Sequence, residues 1–198
     1  MQRCHSFVRR WGMGFAMGFG VSIALGGASV AAAQEFTGSG LVTARVTLAG
    51  CTDAAISGEM LLVERPSSEG VKQVEVALVL NGMPPGRHAV HIHETAACTP
   101  CAAAGGHFDP GPNSNPSPDG NHPFHSGDLV NITINSSGRG VMYTTTSRIT
   151  LSPGPLSVFD ANGSAIIVHV DPDTYCPGGP VANCAGGARQ ACGIVVPH

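Results

Sequence analysis

An all-β fold is predicted for this 198-residue chain from three observations. Only 12% of the residues are charged, so helices laced with charge pairs have little to be built from. Twenty-seven glycines and 15 prolines supply many turns. Several segments alternate apolar and polar side chains with the period of two that sends successive side chains to opposite faces of a strand. About eight such strands, with no convincing amphipathic helix, indicate an antiparallel sandwich or barrel. The length suits one domain with a real core, and no internal repeat or linker marks a second.

The N-terminal element is expected to be removed. Arg3, Arg9 and Arg10 form a basic start, an apolar Gly-rich run extends from Gly12 to Val30, and Ala31-Ala32-Ala33 closes it with small residues. Residues 1–33 therefore read as a signal peptide and 34–198 as the mature domain. A retained membrane anchor is the alternative, because the run approaches the roughly 20 residues a span needs; its glycines and its A-x-A end favour cleavage. Arg9-Arg10 leaves Sec and twin-arginine export both open. Leu48-Ala49-Gly50-Cys51 has the form of a lipoprotein cleavage box, but it follows Arg45 and alternating polar residues, so it reads as a strand end. The mature chain carries seven basic against thirteen acidic residues, a net charge of −6, which gives it no electrostatic reason to bind nucleic acid. After cleavage nothing ties it to a membrane, and a periplasmic or extracellular location follows.

Six cysteines remain once Cys4 leaves: Cys51, Cys98, Cys101, Cys176, Cys184 and Cys192. An even number in an exported chain suggests disulfides, with fifteen connectivities open to six cysteines. Cys98-Thr99-Pro100-Cys101 is a weaker zinc or redox motif, lacking a second pair at finger spacing and any βαβ context.

Along the mature chain, Val42, Ala44, Val46 and Leu48 share one face of a first strand opposite Thr43, Arg45 and Thr47. A second strand is expected from Glu59 to Arg65 and a third from Val71 to Leu80, with Val74, Val76, Leu78 and Leu80 on its apolar face. A fourth runs from Arg87 to Glu94. Residues 95–127 show no regular pattern, and a loop of that length inside a compact domain is generally functional or disordered; its histidines and cysteines favour function. Strands resume from Leu129 to Asn135 and from Gly140 to Thr146, around Ser136-Ser137-Gly138. Two more are expected from Ser164 to Val170 and near Gly193 to Val196.

The histidines carry the chemistry. His91 and His93, two apart on a strand, share a face, while His88 points to the other and reads as an ordinary core histidine. Two imidazoles on one strand face, followed by a loop holding His107, His122 and His125 and later by His169, suit copper or zinc, whereas a hard cation would require oxygen ligands.

His88-Ala89-Val90-His91-Ile92-His93-Glu94 resembles the copper-binding strand of copper/zinc superoxide dismutases, and Gly105-Gly106-His107-Phe108-Asp109-Pro110 resembles their bridging-histidine motif. His125-Ser126-Gly127-Asp128-Leu129 is similar to the end of their zinc loop, Val168-His169 to the last copper ligand, and Gly187-Ala188-Arg189-Gln190-Ala191-Cys192-Gly193 to the C-terminal arginine and cysteine motif. The resemblance covers residues 40–196 in family order. It implies an eight-stranded antiparallel Greek-key sandwich or barrel with two long functional loops. It also implies disproportionation of superoxide, a small anion, to oxygen and hydrogen peroxide.

By the same resemblance His91, His93, His107 and His169 would bind copper, with His107 also reaching zinc and carrying the proton. Zinc would be completed by His125, Asp128 and one more histidine. Asp173 would tether the copper and zinc ligands, Arg189 would dock the anion, and Cys98 would pair with Cys192; of the three connectivities open to the other four cysteines, Cys176 with Cys184 and Cys51 with Cys101 are the pairs expected. The family's usual first zinc histidine is missing, since Asn113-Ser114-Asn115 occupies its place, so His122 becomes the candidate. Residues 170–188 carry no lysine where the family often guides superoxide with several, and they gain Cys176 and Cys184. A copper-only dismutase and a non-catalytic exported copper-binding module are the alternatives; Arg189 opposes the second. A homodimer is compatible with the resemblance.

Overall fold

In the computed structural model, residues 41–111, 115–120 and 122–198 are described. The expected signal peptide and residues 113–114 of the loop lie outside them. Among the described residues ten strands are present: β1 (Val42–Gly50), β2 (Ser57–Pro66), β3 (Lys72–Asn81), β4 (Gly86–His88), β5 (Val90–His93), β6 (Ile132–Ile134), β7 (Gly140–Thr146), β8 (Ala165–His169), β9 (Arg189–Ile194) and β10 (Val196–Pro197). All named pairings are antiparallel, in the order β4-β6-β7-β3-β2-β1-β9-β8-β5, with β10 on β1.

The two ends of that order, β4 and β5, are one run of sequence separated only by Ala89. The run pairs β6 through its first half and β8 through its second, which nearly closes the sheet into a barrel and removes its open edges. At Ala89 the partner changes: its N–H donates to Asp171 O at 3.0 Å and its carbonyl accepts from His169 N at 2.9 Å. The single fourth strand expected from sequence is therefore two, and with the C-terminal strand likewise divided into β9 and β10 the eight expected strands become ten among the described residues.

The alternation of β1, β2 and β3 faces the barrel interior as the sequence suggests. Val46, Leu62, Val76, Leu78 and Leu80 are essentially inaccessible and join Ile166 in one core, each such side chain stabilising the fold by roughly 1.5–3 kcal/mol. The strand expected from Leu129 to Asn135 shortens to Ile132–Ile134, and Asn131 just before it turns its side chain to the backbone of Asp173. The last long strand begins earlier than expected, at Arg189. Its small residues hide it from a pattern search, and the packing explains them: a side chain at Gly193 would begin 2.5 Å from Thr47 O and Val46 Cγ1.

Candidate metal centre

Strand β5 has two occupied faces. Val90 and Ile92 belong to the barrel core, so His91 and His93 project from the outside of the barrel. Both are nevertheless fully buried, because the 95–127 segment folds over them. That segment is laced to β5 by backbone bonds: Phe108 N to Ile92 O, Gly127 N to Phe108 O and Ile92 N to Gly127 O, all 2.8–2.9 Å. The lacing sets His107 opposite His93 and Asp128 opposite His91. His169 ends β8, across from Arg189 on β9. The chain can pass this closely only because Gly186 (φ 99°) has no side chain, which would otherwise begin 2.6 Å from Ala89 Cβ and 2.9 Å from His169 Cβ.

One ligating atom from each of His91, His93, His107 and His169 lies within 4.8 Å of every other, and the same holds for His91, His107, His122 and Asp128. Hydrogen bonds on the far side of the rings fix which nitrogen is free. His93 Nδ1 donates to Gly105 O at 3.0 Å, His169 Nδ1 to Gly187 O at 2.9 Å, and His91 Nε2 to Asp173 Oδ2 at 3.2 Å. The lone pairs of His93 Nε2, His169 Nε2 and His91 Nδ1 are thereby turned inward, the arrangement by which outer partners orient metal-ligating imidazoles. His91 Nδ1 and His169 Nε2 stand 3.2 Å apart, and His93 Nε2 and His107 Nε2 are buried with no hydrogen-bond partner.

The other group surrounds Asp128. Its carboxylate lies 2.8 Å from His107 Nδ1, 3.1 Å from His122 Nδ1, and 3.1 and 3.3 Å from His125 Nδ1. His122 Nδ1 lacks hydrogen-bond geometry at that distance, as expected of two groups aimed at a common point rather than at each other. The opposite nitrogen of His122 meets Asp173 Oδ2 at 2.7 Å. Asp173 thus touches both His91 and His122, and His91 and His107 are the two rings common to the groups. His125 stands beside the four-residue group rather than within its mutual reach.

Electrostatics divide the two groups. Burial holds His107 at about 4, against the opposing hydrogen bond it donates to Asp128, and His169 at about 3; it holds His93 well below the ordinary histidine value too. These rings are neutral, as metal ligands must be. Burial also acts against protonated His122, but Asp128 and Asp173 overcome it and raise the ring to about 9, so a cation bound there would have to displace its proton. Both carboxyls are held far below their usual range: burial opposes this, and their histidine partners outweigh burial. The donor chemistry fits two cations: four imidazoles on one side, imidazoles plus a carboxylate on the other.

The family described as copper/zinc superoxide dismutase (SODC) matches residues 56–195. The chain belongs to the copper/zinc superoxide dismutase family. It is 36% identical over 143 residues to the superoxide dismutase [Cu-Zn] of Deinococcus radiodurans, spanning 65% of this chain and 72% of that one. The crystal structure of the clock protein EA4 superposes with a TM-score of 0.59 at 25% identity, covering 77% of this chain and 92% of that one. Superoxide dismutase activity comes with membership of this family, which sets aside the non-catalytic module.

Beside the histidine cluster, Arg189 is half-buried, with Nη1 donating to Cys101 O at 2.6 Å and Nη2 to Gly105 O, the carbonyl that also receives His93. Among the described residues three disulfides are formed, Cys51–Cys101, Cys98–Cys192 and Cys176–Cys184. His88 stays off the cluster, its ring nitrogens each 2.9 Å from the carbonyls of His169 and Pro84. Sequence reasoning missed three supporting residues. Asn131 forks onto the Asp173 peptide, accepting its N–H at 2.7 Å and donating to its C=O at 2.9 Å. Arg148 donates to Pro123 O at 3.1 Å and to Asp128 O. Asp119 accepts from the backbone of Asn183 and Ala185. Each is a lone polar residue bonded to distant backbone, which leaves no local sequence signal.

Proposed function

We propose that this chain disproportionates superoxide at a copper bound by His91, His93, His107 and His169, beside a zinc bound by His107, His122, His125 and Asp128. The observation that carries the reading is His107, whose Nε2 opens without a partner toward the all-histidine group while its Nδ1 faces Asp128 at 2.8 Å. Copper held there would supply one-electron chemistry, taking an electron from one superoxide and giving it to a second, which leaves with two protons as hydrogen peroxide.

The chain's own residues prepare that exchange. Gly105 O, Gly187 O and Asp173 hold three rings in single tautomers. His107 Nε2 is the atom at which a proton can be held between the two half-reactions, and Asp128 on its other nitrogen keeps the ring from turning. Arg189 sets a positive charge beside His93 and His169 for the incoming anion. The approach of His122 Nδ1 to Asp128 at 3.1 Å supports a zinc site over a copper-only enzyme. Export to the periplasm or beyond fits three disulfides, which persist in oxidising compartments, and among the described residues no helix is long and apolar enough to cross a membrane.

Loading the purified chain with copper and zinc tests the reading. Superoxide removal should track copper content, with one zinc held per chain. Full copper without activity would overturn it.

A further inference from the structure

Among the described residues, three that are not glycine occupy the left-handed backbone region: Tyr175 (φ 62°), Cys176 (φ 45°) and Asn183 (φ 66°). All three lie in the connection between β8 and β9. Asparagine tolerates that region, whereas a tyrosine and a cysteine in succession are held there only when their surroundings over-determine the backbone.

The surroundings do so. Cys176–Cys184 closes the loop. Thr174 donates to Cys184 O through both its N–H and its hydroxyl, at 3.0 Å each. The Asp119 carboxylate, reaching from the 95–127 segment, accepts Asn183 N at 2.9 Å and Ala185 N at 3.1 Å. The consequence lies at the loop's first turn: Tyr175 N–H meets Asp173 Oδ1 at 2.6 Å, leaving Oδ2 for His91 at 3.2 Å and His122 at 2.7 Å.

We propose that the Cys176–Cys184 bridge is a positioning element for the metal centre: by holding the left-handed turn at Tyr175 and Cys176, it aims the Asp173 carboxylate at His91 and His122. The proposal rests on the reading of those rings as copper and zinc ligands. With the bridge open, Tyr175 and Cys176 are free to relax to ordinary backbone angles. The Tyr175 N–H then swings off Asp173, and the carboxylate loses the bond that orients it.

The test is a cycle on the copper- and zinc-loaded protein, comparing wild type, Cys176→Ser/Cys184→Ser, Asp173→Asn and the triple variant. The readouts are zinc affinity against a chromogenic chelator and the visible spectrum of protein carrying cobalt in place of zinc. Outer partners of metal ligands commonly contribute about 10- to 100-fold in affinity. Asp173→Asn is expected to weaken zinc by about that much, the bridge-free variant by about ten-fold with an altered cobalt spectrum, and the triple variant no more than Asp173→Asn alone. Multiplying effects in the triple variant, or unchanged zinc affinity in the bridge-free one, would overturn the proposal. Wild type that binds no zinc would overturn the ligand assignment and this proposal with it. If the bridge-free variant does not fold, Asp119→Asn loosens the same loop from its other side. Its zinc loss, expected to be several-fold, should likewise vanish on the Asp173→Asn background; loss that persists there overturns the proposal.

Discussion

Replacing Arg189 with alanine should slow superoxide removal by about five-fold to several hundred-fold while copper stays bound. The guanidinium stands opposite His169 in the β8–β9 register and shares the Gly105 carbonyl with His93. Burial makes its charged form less favourable than in water, yet a guanidinium stays protonated throughout the working range. A unit charge about 4 Å from an anion is worth roughly 1 kcal/mol at water-like and 4 kcal/mol at surface-like dielectric. Half-burial puts Arg189 between those limits, which gives the range of rates. Two of its N–H groups are committed to Cys101 O and Gly105 O. A lysine could not hold both carbonyls in one planar fork, so Arg189→Lys should fall between wild type and alanine. Superoxide decay after rapid mixing, with protein matched for copper, measures the effect. A rate within about two-fold of wild type for Arg189→Ala at full copper would refute the assigned role.

Three further outcomes are expected. His122→Ala should lose most of its zinc and keep its copper, measured by metal analysis after dialysis; equal zinc in variant and wild type would remove His122 from the site. Glu64 accepts Leu151 N at 2.6 Å and Ser152 N at 2.8 Å and lies 3.1 Å from Lys72 Nζ. Burial opposes its charge, but these bonds outweigh burial and hold it below its ordinary 4.5. A depressed carboxyl stabilises the fold above its unfolded-state pKa and ceases to as pH falls through the folded one. Glu64→Gln should therefore cost about 1–3 kcal/mol at neutral pH, and the gap in melting temperature should close below pH 4.5; a gap that persists in acid would contradict this. Because residues 170–188 carry no lysine and the mature chain is net −6, the rate should fall less steeply with ionic strength than in a lysine-guided relative. A fall as steep as the relative's would mean that another positive surface steers the anion.

Much of this was legible in the sequence because the barrel is half-buried strand by strand: β1, β2 and β3 each show one wet and one dry face, and period two records it directly. His91 and His93 were legible for the same reason, since a polar pair on one strand face is unexpected in a core. The pattern fails where a strand's neighbours replace its own side chains as the source of burial. Strand β9 opens on Arg189, Gln190 and Ala191 and needs Gly193 to fit against β1, so it carries too little apolar signal to be seen. The break at Ala89 is likewise a property of its partners. The supports of the site lie furthest from sequence reasoning. Asn131 acts on a peptide 42 residues away and Asp119 on peptides 64 and 66 residues away, through backbone atoms that any residue type supplies.

The central claim is that one imidazole, His107, joins a copper and a zinc. Diffraction data collected on the metal-loaded protein at the copper and zinc absorption edges test it most directly. A copper peak among His91, His93, His107 and His169 is expected, with a separate zinc peak among His107, His122, His125 and Asp128 and the His107 ring between them. A single mixed peak, or a zinc peak away from His107 or His122, would contradict it.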